Sequence, residues 1–344
     1  MSNRIRGPLM LRRPSFPSIA HPLRRAPLWL LQAGFWLALL LTLWACTAVH
    51  AAPLAYVPNE KAGSISVIDT ETDHVIATWS VGGKPRGVAA SPDGSRLYVS
   101  DQPSNALLVL DTRSGEVVRR IALGESPEGV YVSADGRLVA AASEQLNAVM
   151  LVDALRGEVL ASIKTEGRNP EHAVFSPDGR WLYVSAEEAS QVDVLDVAAR
   201  RQVASIEVGK RPRGIAFTPD GQRAYVACEL EGAVYAIDTA TRQVLQRIEA
   251  GEFSNGVAMH PGGHTLYVSS GRGATVAVID VASQRVLAQI PVGQRPWNMA
   301  LTPDGRKLYV ANGRSNSVSV IDTARRQRLT DIAVGELPWG VALR

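Results

Sequence analysis

Residues 295–335 read RPWNMALTPDGRKLYVANGRSNSVSVIDTARRQRLTDIAVG, and this stretch decides the fold. Met299-Ala300-Leu301 and Lys307-Leu308-Tyr309-Val310 flank Pro303-Asp304-Gly305. Proline presets φ and glycine accepts a positive φ, so the tripeptide is a hairpin turn. Val318-Ser319-Val320 alternates with a period of two, as a half-buried strand requires. Asp322 ends that strand, where its carboxylate can accept hydrogen bonds from backbone N–H groups of the next turn. A fourth run, Leu329 to Val334, completes a four-stranded antiparallel sheet.

The closing aspartate recurs at Asp69, Asp111, Asp153, Asp196, Asp238, Asp280 and Asp322, in steps of 42, 42, 43, 42, 42 and 42 residues. One such sheet cannot bury both faces, so neighbours must stack on it. Units of about 40–45 residues with four strands stack radially as β-propeller blades. The first unit begins at Leu54-Ala55-Tyr56-Val57, which matches a second strand, and Pro338 to Arg344 is a lone first strand. Pairing these two ends closes a ring with no open edges. The expectation is an all-β, seven-bladed propeller over residues 52–344.

Residues 1–51 carry six arginines and no acidic residue, then an apolar run from Leu28 to Trp44, then Val49-His50-Ala51. This is the layout of a secretory signal peptide, which predicts export to the periplasm or beyond. If uncleaved, the segment would be a membrane anchor. The whole chain has a net charge of +3, but residues 52–344 carry 30 basic and 33 acidic residues. That net −3 opposes nucleic-acid binding. Cys228 is the one cysteine beyond the segment, which excludes an intrachain disulfide there.

In a repeat protein, positions filled alike in every blade serve the blade, and positions that break the frame are free to serve a ligand. The residue after the leading proline, or its equivalent, reads Arg86, Glu128, Glu171, Arg213, Asn255, Trp297 and Trp339 around the ring. Neighbouring loops add Glu60, Glu144, Glu187, Glu229, Arg272 and Arg314. These form the expected ligand site at the channel mouth, with carboxylates on blades three to five and tryptophans with most basic groups on blades six, seven and one. The bland alternative is a solvated loop face of mixed charge. His172 replaces the glycine of the Pro-x-Gly frame beside Glu171; the pair is the candidate for a metal or haem, although the expectation is a hydrogen-bonded surface histidine and no cofactor. Trp297 and Trp339 could stack on a ring ligand, but packing against each other is the expectation. Cys228 is expected to be inert and partly buried, and His260 and His264, flanking a Pro-Gly-Gly turn, to be structural.

The frame resembles the YVTN-type β-propeller repeat, through Tyr56-Val57-Pro58-Asn59 and Tyr309-Val310-Ala311-Asn312, each followed by an alternating run into Ile-Asp. The likeness covers residues 54–344. Tyr56-Val57-Pro58-Asn59-Glu60-Lys61, Lys84-Pro85-Arg86-Gly87 and Pro338-Trp339-Gly340-Val341 are similar to an exported subgroup found beside quinone (PQQ)-dependent alcohol oxidation systems. That resemblance implies a periplasmic dehydrogenase or cytochrome as partner.

No Cys-x-x-Cys-His, Gly-x-Ser-x-Gly or phosphate-binding glycine loop occurs. The first functional reading is therefore a non-enzymatic scaffold that binds a protein partner or small ligand at the mouth. The alternatives are a lactonase- or hydrolase-type propeller with Glu171 and His172 as acid–base pair near Arg213, and a haem-handling propeller resembling the cytochrome d1 type, whose eight blades disagree with seven.

Overall fold

A computed structural model describes residues 53–344; the signal-segment reading of residues 1–51 lies outside them. Seven four-stranded antiparallel sheets make up the described residues. Blade 1 holds strands between 54 and 80 and the terminal strand Ala342–Leu343; blades 2 to 7 span 85–122, 127–164, 170–207, 212–249, 254–291 and 296–333. Ala342 and Leu343 pair antiparallel with Tyr56 and Ala55, so the chain ends share one sheet as the repeat register requires.

The turn chemistry follows the sequence. Asp93 Oδ1 accepts from Ser91 Oγ and, at 3.0 Å, from Ser95 N. Asp322 Oδ1 accepts from Arg325 N at 2.8 Å, and Asp69 does the same for the N–H groups of Glu71 and Thr72. These bonds lower two of these carboxyls, Asp93 to about 2 through Ser91 first and then Ser95, and Asp69 through the Thr72 N–H first. The core lies between blades. Tyr183, Val192, Val194 and Ile206 of blade 4 pack on Ile215, Ala224, Val226 and Ile237 of blade 5. Each such side chain gains roughly 1.5–3 kcal/mol on full burial, so blade-to-blade stacking, not sheet formation alone, holds the ring.

The inner strand of each of blades 2 to 7 shows a register shift near its start, as between Pro127 and Val130 and between Pro212 and Ile215. Such a bulge re-aims the side chain at that place. It turns the residue after the leading proline toward its neighbours around the mouth. The next position is glycine in five blades because adjacent inner strands nearly touch there. A Cβ on Gly87 would lie 2.3 Å from the Glu128 carbonyl oxygen, and one on Gly256 would lie 2.4 Å from that of Trp297. Both obstacles are backbone, so Gly256→Ala should force the strands apart and lose about 1–3 kcal/mol in urea denaturation. An unchanged midpoint would show that the inner ring has slack.

Candidate functional site

The channel mouth is a buried ion network. Arg86 of blade 2 donates from Nη1 to both oxygens of Glu128 of blade 3, at 2.5 and 2.6 Å. Its Nε lies 3.6 Å from Glu60, with no hydrogen bond. Arg213 of blade 5 holds Glu171 of blade 4 at 2.7 Å, Glu187 in close contact, and Glu229 at 3.1 Å. Glu229 also meets Arg211 at 3.2 Å and Arg295 at 3.0 Å. Glu144 accepts from Ser126 Oγ at 2.9 Å and Asn169 Nδ2 at 2.7 Å. Glu128 is 0 % exposed and Glu171 4 %, so the solvated-face reading is wrong for them. The expected polarity also needs correcting, since Arg211 and Arg213 stand among the carboxylates they neutralise.

Burial sets the protonation states. Desolvation, then the charge of Glu171, push the Glu128 carboxyl up to about 9 despite Arg86. Glu171 meets the same desolvation, but Arg213 first, then other nearby positive groups, outweigh it and hold its carboxyl below the usual range. Glu187 is raised, by burial first and Glu171 second. Two neighbouring carboxyls therefore sit in opposite states, the neutral one on the single arginine and the ionised one on the shared arginine.

His172 corrects the surface expectation most sharply. It is 1 % exposed, and burial holds its imidazole neutral, down to about 4. Its Nδ1 shares a 2.7 Å hydrogen bond with Tyr131 Oη. Its ring stacks on Trp339 with centroids 5.7 Å apart and planes at 28°. Blades 4 and 1 face each other across the ring, so this stack spans the axis, with the Arg86 guanidinium 5.6 Å from the same indole. His172→Gly should remove that stack and the Tyr131 partner together. The expected loss is about 2 kcal/mol or more, for a buried hydrogen-bond partner plus a stacked ring. A loss of the Trp339 near-ultraviolet dichroism would report it, and an unchanged spectrum would refute it.

Trp297 and Trp339 do not pack on each other, contrary to expectation. The half-buried Trp297 ring lies on Gly313, where a Cβ would come within 3.0 Å of it. Asn255 is 5 % exposed. Arg272 stacks on Phe253 at 3.8 Å, beside a groove of about 590 Å³ between blades 5 and 6 that Leu230 and Glu252 also line. Arg314 is exposed. Cys228 is fully buried, and desolvation pushes its thiol up to about 12, so it is inert as expected. His260 and His264 lie together, with ring centroids 4.3 Å apart.

The candidate metal pair is also corrected. Among the described residues, the oxygens of Glu128, Glu144 and Glu171 come within 4.8 Å of one another, and His172 is no part of that group. Two of the three are already held by Arg86 and Arg213, which a cation would have to displace. The residues the sequence reading missed are Arg211, Arg295 and Tyr131. The last was signalled, because Tyr131 stands where other inner strands carry Ala89, Ala216, Ala258, Ala300 and Ala342.

Comparison with known proteins adds the following. A family model described as lactonase, 7-bladed beta-propeller matches residues 197–333, and one described as YNCE-like beta-propeller matches residues 44–137. No curated protein matches. Among solved structures, hydrazine synthase of Kuenenia stuttgartiensis is similar at 27 % identity and a TM-score of 0.72, over 78 % of this chain and 92 % of that one. A protein of Desulfotomaculum acetoxidans described as functionally unknown is similar in fold, at 18 % identity and a TM-score of 0.74, over 84 % and 98 % of the two chains. Partial family matches from two descriptions, together with near-complete fold overlap, agree on one architecture: the chain is a seven-bladed β-propeller.

Proposed function

We propose that this propeller is an exported binding scaffold that holds a partner or small ligand at its channel mouth, in the setting of a periplasmic dehydrogenase or electron-transfer system. One observation carries the reading. The buried carboxylates of the mouth are spent on Arg86, Arg211, Arg213 and Arg295, and Glu128 is closed to solvent. A rigid, internally paired rim suits recognition, because little reorganises on contact. Likeness to hydrazine synthase is consistent with a redox setting.

A lactonase-type enzyme is the second reading, favoured by the family match over residues 197–333 and by the split Glu128–Glu171 pair, a pattern typical of acid–base sites. The matched span contains Arg213 and Glu229 but neither Glu171 nor His172. The deciding experiment has two arms. Tagged protein is used to capture partners from a periplasmic extract of its own source, and the pure protein is assayed on a panel of lactones. Capture of a dehydrogenase or cytochrome that Arg314→Glu with Lys61→Glu weakens, with no hydrolysis, supports the scaffold. Lactone turnover abolished by Glu171→Gln overturns it.

A further inference from the structure

Grooves lie at several seams between blades on the face opposite the mouth, and three of them hold cations of their own. Arg96 and Arg119 line the groove between blades 2 and 3, Arg223 the one between blades 5 and 6, and Arg306 and Lys307 the one between blades 7 and 1. Lys307 shows what such a cation does. Its Nζ donates to the Thr70 carbonyl at 2.8 Å and to Asp73 at 2.7 Å. Arg223 likewise donates to the Val281 carbonyl at 3.2 Å. The groove between blades 4 and 5, about 460 Å³ in volume, has no cation on its wall. Trp181 stands there at the place of Arg223 and Lys307, and the carbonyl of Thr239, the counterpart of Thr70 and Val281, receives no such bond among the described residues.

The wall is aromatic instead. Tyr183 and Phe217 meet edge to face with centroids 4.9 Å apart, and Trp181 lines the same groove. The exposed Asp178 and Asp220 stand at its rim. In the equivalent turns, Asp135 lies 3.8 Å from Arg137 and Asp304 lies 3.5 Å from Arg306. Arg180 holds that place in blade 4 but sits over the Trp181 ring, 4.5 Å from its centroid, and Arg242 approaches the same indole at 5.0 Å. Blade 5 has Gln222 there. Asp178 and Asp220 therefore have no ion-pair partner among the described residues. Hydrogen bonds from the Ser176 and Thr218 hydroxyls, respectively, come first in holding their carboxyls below the usual range, so both are ionised at neutral pH.

We propose that the groove between blades 4 and 5 binds an organic cation with an aromatic body, of the arylalkylammonium class. It lies away from the mouth, so the inference goes beyond the scaffold reading and does not depend on it. The volume falls in the range of small-molecule sites. The ligand's ring packs on the Trp181, Tyr183 and Phe217 wall, where offset and edge-to-face contacts are both open to it. Its ammonium takes the place that Lys307 Nζ fills between blades 7 and 1 and donates to the Thr239 carbonyl. Arg242 stands at the position of Asp73, so the counter-charge comes from the turn aspartates instead. An anion would meet two uncompensated carboxylates, and a neutral ring would leave them uncompensated.

The test uses the full chain, isothermal titration calorimetry and saturation-transfer NMR, with phenethylamine and tyramine as probes. Phenylacetate, 2-phenylethanol and butylamine serve as anionic, neutral and non-aromatic controls. Saturable binding of both aromatic amines is expected, about tenfold or more tighter than that of any control. Asp178→Asn combined with Asp220→Asn keeps the Oδ1 atoms that cap the turns and should weaken the amines about tenfold or more. Trp181→Lys installs the cation that blade 7 carries and should abolish their binding. Unfolding midpoints check that each variant is folded, and the aspartate pair decides alone if the lysine variant is not. The proposal is overturned if neither amine binds, if phenylacetate or 2-phenylethanol binds as tightly, or if butylamine matches them. Amine binding that the aspartate variant leaves unchanged would place the amine elsewhere and also overturn it.

Discussion

Arg213→Ala is expected to lower the unfolding free energy by about 3–5 kcal/mol, the largest effect of any single change at the mouth. Arg213 is the shared counter-charge of Glu171, Glu187 and Glu229, whose side chains are nearly inaccessible. Removing it leaves charge in a low-dielectric interior with too few partners. Arg211 and Arg295 reach Glu229, but neither touches Glu171. Arg213→Lys should rescue only partly, since an ammonium cannot reproduce a planar fork that serves three carboxylates. Adding Glu171→Gln to the Ala variant should recover part of the loss by removing the stranded charge. Guanidinium denaturation of the single and double variants measures this. A loss below about 1 kcal/mol, the range of exposed ion pairs, would mean that solvent reaches the network.

The pH profile of stability should carry two opposite slopes, and their signs follow from the protonation states. Glu128 is raised from 4.5 to about 9, so above pH 4.5 the unfolded chain releases a proton that the native state keeps. Native protein then binds more protons, and stability falls as pH rises toward about 9, at up to about 1.4 kcal/mol per pH unit. Glu187, also raised, adds to that slope. His172 is lowered from 6.5 to about 4, so in that interval the unfolded chain binds more protons and stability is lost as pH falls. The two windows overlap below pH 6.5, where they partly cancel. Above it, the Glu128 slope is no longer opposed by His172. Glu128→Gln should flatten the profile between pH 6.5 and about 9, and His172→Asn should flatten the acid limb. A wild-type profile that is already flat above pH 6.5 would show that Glu128 is ionised at neutrality.

The mouth illustrates what can be inferred by period. Arg86 and Glu128 are 42 residues apart, one repeat, and their contact follows once equivalent positions of adjacent blades are taken as neighbours. The same register brings Arg213 beside Glu171. Reading the loops as solvated failed because exposure depends on the inner-strand bulge and on how tightly the glycines let neighbouring strands approach. Neither quantity is written in residue type alone.

By itself the sequence determined the repeat, the blade count, the turns closed by Pro-Asp-Gly and by Ile-Asp, and the joining of the two chain ends. Each of these rests on local hydrogen bonding or on a period repeated seven times, so each is specified many times over. Only the tertiary structure decided that His172 meets Trp339, that Trp297 and Trp339 stand apart, and that Glu128 and Glu171 take opposite protonation states. Those outcomes depend on the width of the axis and on burial summed over several blades. A period fixes which residues are neighbours around a ring, but not which of them reach across it.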